Sequence, residues 1–172
     1  MTARRTARGL AAAMLLVFVA AGCGGSGDDK TTAASDPAAG AVDVARAYMT
    51  AAVGRDWERV CELTTIARRS DCHSTNPKSK TTRESGAQVG PVLLDRPPTR
   101  VHALTAHPEG WAVMVSHTVT WPGKSTTTAR TALRVVPDGA GWAVDQREDV
   151  FDSDLTHAAD PAVAALSRRG SR

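Results

Sequence analysis

The stretch Trp111-Ala-Val-Met-Val-Ser-His-Thr-Val-Thr-Trp121 decides the fold. Read in steps of two, it places Trp111, Val113, Val115, His117, Val119 and Trp121 on one side and Ala112, Met114, Ser116, Thr118 and Thr120 on the other. An apolar side opposed to a more polar one at period two predicts a half-buried β-strand. Turn signals bracket it: Pro108-Glu109-Gly110 before and Pro122-Gly123 after. Downstream, Thr126 to Val136, with Leu133 and Val135, predicts a further strand. Pro137-Asp138-Gly139-Ala140-Gly141 turns the chain into a last strand, Trp142 to Asp149. Upstream, Arg100 to His107 alternates around Val101, Ala103 and Thr105. Strands joined by short glycine-containing turns predict a four-stranded antiparallel meander.

Before the strands the period is helical. Asp36 caps and Pro37 opens a first helix, with Ala41, Val42, Val44, Ala45, Tyr48, Met49, Ala52 and Val53 at or beside one face, and Gly54 stops it. Asp56 caps a second helix carrying Trp57, Val60, Cys61, Leu63 and Thr64 towards about residue 68. Residues 70–86 are polar and locally basic through Lys78, Lys80 and Arg83. They read as a solvated loop, with contact to an anionic wall polymer or lipid headgroup as the alternative. Asp160-Pro161 opens a short Ala-rich C-terminal helix, and the tail with Arg168, Arg169 and Arg172 is expected to fray. Helices first and strands later predict an α+β fold with the helices on one sheet face.

The 172 residues suit one domain, and 42% hydrophobic with 23% charged residues disfavours both a multi-span membrane protein and a disordered chain. At the N-terminus Arg4, Arg5 and Arg8 precede an apolar run from Leu10 to Ala21. Basic residues before an apolar run of about 7–15 residues read as a secretory signal peptide. The run is short for a membrane span, which needs about 20 residues. The formal net charge of +3 includes those three arginines, so it falls to zero without them, which removes the main argument for a nucleic-acid partner.

The run ends Ala20-Ala21-Gly22-Cys23, which resembles a bacterial lipobox. Ala20 departs from the Leu that such motifs most often carry there. The resemblance implies cleavage after Gly22 and diacylglycerol on Cys23, which supplies two acyl chains for stable anchoring. Arg outnumbers Lys 17 to 4 and Ile66 is the only isoleucine, a bias that looks like a high-GC Gram-positive bacterium. The expected organisation is a leader over 1–22, a Gly/Ser/Thr/Asp tether over 23–37 with a reach of roughly 20 Å, and one α+β domain over 38–172 with its core at about 40–150. The expected place is the extracytoplasmic face of the cell membrane, held by the lipid.

With Cys23 lipidated, Cys61 and Cys72 remain as a pair in a compartment that permits disulfides. Closing their ten-residue loop would stabilise the fold by about 3 kcal/mol. A metal site using His73 as third ligand competes with this reading, but the spacing matches no common zinc pattern. A catalytic thiol would need a free sulfur and a base.

Two helices followed by a curved meander resemble the NTF2-like (SnoaL-like) fold. Val42 to Cys61, with its Gly54-Arg55-Asp56-Trp57 junction, is similar to the opening of NTF2-like lipoproteins of high-GC Gram-positive bacteria. Gly141-Trp142-Ala143-Val144-Asp145 resembles the last strand of such domains. No third helix is read between 70 and 90, which leaves a cystatin-like sheet as the alternative fold. The resemblance implies a cone, within which some relatives place an Asp, or a His with an Asp, for isomerase, dehydratase or cyclase chemistry.

The candidates for such chemistry are His117, His102, His107 and Asp145. His117 shares its strand face with apolar residues, where burial favours the neutral imidazole that acts as a base. Asp145 has the opposite parity to Trp142, so an inward Trp142 leaves Asp145 outward and away from His117. Trp111, Trp121 and Trp142 either line a ligand pocket or fill the core. No Gly-rich phosphate loop, metal motif or nucleophile elbow is present in the sequence, so no cofactor or metal is expected. The leading expectation is a non-catalytic, lipid-anchored domain binding an envelope protein, a wall component or a small apolar ligand through its sheet or cone. The alternatives are a small isomerase, dehydratase or hydrolase with His117 as base, and a structural partner in an envelope complex.

Overall fold

Asp36 accepts a hydrogen bond from the Ala38 amide at 2.9 Å, and Pro37 follows where its missing N–H costs nothing; together they start α1 (Pro37–Val53). The computed structural model describes residues 36–76 and 86–168. The leader, the tether with Cys23, the basic residues Lys78, Lys80 and Arg83, and Arg169 and Arg172 lie outside the described residues. Gly54 closes α1 by donating to the Thr50 carbonyl at 2.9 Å. Arg55 then takes a left-handed φ of 57°, which reverses the chain so that Asp56 caps α2 (Trp57–Glu62).

The second helix is shorter than its apolar spacing predicts. At Leu63–Thr65 the backbone leaves the helix and pairs with Val144, through Val144 N–H to Leu63 O at 2.8 Å and Thr65 N–H to Val144 O at 3.0 Å. A third helix, α3 (Ile66–Thr75), begins after this contact and corrects the expectation of a polar loop from residue 70. It buries no residue and so shows no apolar stripe, which is why the sequence pattern missed it. A Cys61–Cys72 disulfide, Cα–Cα 5.5 Å, ties it to α2.

The sheet is antiparallel and strongly curled into a half-barrel. Its long strands are β4 (Gly110–Thr120), β5 (Thr127–Asp138) and β6 (Gly141–Asp149), in spatial order β4-β5-β6. Along the free side of β4 run three short strands, β1 (Gln88–Val89), β2 (Leu93–Leu94) and β3 (Thr99–Val101), in successive registers Gln88↔Thr120, Leu93↔Ser116 and Arg100↔Trp111. They form one edge interrupted at Pro91 and at Pro97-Pro98, residues that cannot donate to a ladder. The sheet therefore has six strands where four were expected. Of the expected strand over 100–107 only the start pairs; Leu104 and His107 close a tight turn by exchanging backbone hydrogen bonds.

The two sheet faces bury different partners. Val113, Val115, Leu133, Val135 and Val144 pack against Ala41, Ala45, Tyr48, Met49 and Ala52 of α1. On the reverse, Ala112, Met114 and Ala132 meet Ala162, Ala165 and Leu166 of α5 (Pro161–Ser167), which follows the short α4 (Asp152–His157). Helices thus cover both faces rather than one, and the C-terminal helix is a core element. Gly110, at the start of β4, has no room for a side chain: a Cβ there would lie 2.4 Å from the Val135 carbonyl oxygen. Gly110→Ala is expected to cost about 1–3 kcal/mol in denaturant unfolding, because the obstacle is paired backbone that cannot move aside.

Candidate functional site

One irregularity in the sheet sets up both cavities of interest. Between β5 and β6 the register runs Val135↔Val144 and then Arg134↔Gln146, so Asp145 is an extra residue on β6. A bulge of this kind reverses the alternation of everything beyond it. Trp142 and Val144 pack on the α1 side, and Arg147, opposite Leu133 and itself exposed, lies on the same side. Asp145 and Gln146 serve the other side.

On the α1 side, Arg147 joins a pocket of about 360 Å³ between the C-terminal end of α1 and the sheet. Met49, Ala52, Val53 and Val89 give it an apolar floor; Trp57 adds an aromatic wall; Arg55, His117 and Arg147 supply the polar groups. His117 is half-buried and reaches it from the face predicted for it. Beneath lies the buried Tyr48 hydroxyl, whose pKa burial pushes up while the Arg147 guanidinium that hydrogen-bonds it works in the opposite direction. No carboxylate lies within ion-pair distance of Arg147 among the described residues.

The expected tryptophans are elsewhere. Trp111 is half-buried with Arg100 stacked on its ring at 4.4 Å. Trp142 packs against α1 at Gly40, and Trp121 is 42% exposed beyond the end of β4. The aromatic residue of the pocket is Trp57, read from the sequence only as a helix-face residue. Arg147 was hidden by the bulge, and Arg55 by its place in a turn.

On the reverse side, Asp145 is buried and binds two partners: Arg68 Nε at 3.0 Å and His107 Nδ1 at 2.6 Å. Asp145 does turn away from His117, as its parity predicts, but it meets His107, a pairing the sequence did not reveal. The turn bearing His107 is held by Arg134, which is fully buried and donates from Nη1 to the carbonyls of His102 at 2.7 Å and Pro108 at 2.9 Å, and from Nε to Gln146 Oε1 at 3.1 Å. The His102 backbone serves there while the residue itself stays exposed. Burial pulls the Arg134 pKa down and the nearby Asp145 charge opposes that shift. Beside this turn lies a cavity of about 600 Å³.

Among the described residues no cluster of His, Cys, Asp and Glu is arranged to hold a metal, and no helix is long and apolar enough to cross a membrane. In comparison with known proteins, the chain matches no protein-family model, no curated protein and no solved structure.

Proposed function

We propose that this chain is a lipid-anchored, extracytoplasmic lipoprotein whose NTF2-like domain binds a small organic anion, a carboxylate with an apolar tail, in the pocket between the C-terminal end of α1 and the sheet. The observation that carries this reading is Arg147, a guanidinium with no carboxylate partner among the described residues, set above an apolar floor beside His117. Arg55 supports it. It is the one non-glycine residue with positive φ among those described, a conformation that costs about 1–2 kcal/mol, and its side chain lines the same pocket. Strain accepted at such a position fits a side chain kept for a task rather than for stability.

Octanoate is the probe. Calorimetric titration of the purified protein is expected to show saturable binding, about tenfold weaker in Arg147→Ala, in line with the worth of a hydrogen bond to a charged group. Octanol, with the same tail and no charge, is expected to bind at least tenfold more weakly. Arg55→Gly is expected to weaken octanoate while leaving thermal stability no lower than in the parent, since glycine relieves the left-handed backbone. Equal affinity for octanoate and octanol would sink the anion reading. The anchor is tested separately: Cys23→Ala should move the protein out of the membrane fraction.

A further inference from the structure

We propose that the cavity on the reverse side of the sheet is a second ligand site, one that takes an organic primary amine in its ammonium form. His107 supplies the first reason. Its Nδ1 lies 2.6 Å from Asp145 Oδ2 and 3.2 Å from Arg68 Nη2. One ring nitrogen cannot donate and accept at once, and the carboxylate has only lone pairs to offer, so Nδ1 carries the proton and donates to Asp145. Arg68 does not need the imidazole, because its Nη2 donates to the Ala106 carbonyl at 2.6 Å and its Nε to Asp145 Oδ1 at 3.0 Å. In the tautomer with the proton on Nδ1, Nε2 is a lone-pair acceptor. No group hydrogen-bonds it among the described residues, and the ring, 19% exposed, lines the cavity.

Glu148 adds a second acceptor to the polar wall, which also carries Thr105, Gln146 and Arg168. Glu148 accepts from the Gln146 amide at 3.3 Å through Oε1 and has no cation within 4.0 Å among the described residues. Gln146 has spent its groups on Arg134, Glu148 and the Leu166 carbonyl. Arg168 also borders the cavity, but Asp154 Oδ2 at 3.1 Å, the Asp149 carbonyl and the Phe151 ring at 4.3 Å occupy its guanidinium. What remains is one carboxylate with no cation in direct contact among the described residues, one imidazole acceptor and an apolar rim of Ala103, Leu104 and Ala106. An ammonium on a short hydrocarbon matches all three: it donates to Glu148 and Nε2 and lays its tail on Leu104.

The test uses hexylammonium and hexanol, titrated into the isotope-labelled protein. Hexylammonium is expected to shift the resonances of residues 103–107 and to bind at least tenfold more tightly than hexanol. Glu148→Gln keeps the shape and removes the charge; it is expected to weaken the amine at least tenfold and leave hexanol unchanged. His107→Phe keeps a ring and removes the acceptor, and should weaken the amine with the fold intact by its amide spectrum. Shifts centred on His117 instead, equal affinity for the two probes, no saturation with hexylammonium, or an amine affinity within twofold of the parent in Glu148→Gln would each overturn the proposal.

Discussion

Arg134→Ala is expected to destabilise the protein by about 3–5 kcal/mol, the range for breaking a buried, hydrogen-bonded charge network. The side chain is wholly enclosed, and its donors satisfy the carbonyls of His102 and Pro108 and the amide oxygen of Gln146. Truncation leaves three part-buried acceptors without their donor, each worth up to about 1–3 kcal/mol, and opens a void beside Ala112 and Ala132. Asp145 would also lose a compensating charge. Arg134→Met separates the contributions, since it refills the volume without the donors; it is expected to recover part of the loss and not all of it. Urea unfolding followed by far-ultraviolet circular dichroism measures both. A loss below about 1 kcal/mol in Arg134→Ala would mean that the turn bearing His107 is held by something else.

Replacing both Cys61 and Cys72 with alanine is expected to cost about 3 kcal/mol. The loss should be local before it is global. Helix α3 buries none of its residues, so without the disulfide it is held mainly by Arg68, on Asp145 and Ala106, and by Arg69, on the carbonyls of Glu62 and Thr64. Amide hydrogen exchange over 66–75 is expected to accelerate far more than exchange in β4 and β5. The same change frees Arg68 and loosens the carboxylate that orients His107. Unaltered exchange in α3 would show that the arginines suffice.

The parts of the fold legible in the sequence are those where local pattern and tertiary burial agree. Helix α1 has a cap, a proline and an apolar face, and it occurs where those signals place it. Strands β4, β5 and β6 lie within two residues of their expected bounds. The missed elements are those that tertiary contact imposes. Pairing of Leu63–Thr65 with Val144 cut one apparent helix into two, although the apolar spacing ran through the break. The edge strands are only two or three residues long, too short for any period to register.

The sites follow the same rule. His117 was visible because it rides on a regular strand. Arg147 and the Asp145–His107 pair were not, because a single unpaired residue in β6 shifts parity by one and nothing in Trp142-Ala-Val-Asp-Gln-Arg announces it. That insertion puts the Arg147 cation on one face of the sheet and the Asp145 carboxylate on the other.

The prolines that fragment the outer edge of β4 bear on how copies of this protein coexist. A long, flat, unpaired edge invites another chain to add a strand, and that risk grows where molecules are concentrated in two dimensions, as the proposed anchor would concentrate them. Here the edge ribbon is split at Pro91 and at Pro97-Pro98, and on the opposite margin the backbone of Val144 is already engaged by Leu63 and Thr65. Neither border offers an uninterrupted template. Crowding on a surface would therefore not lead one copy to add a strand to another's edge.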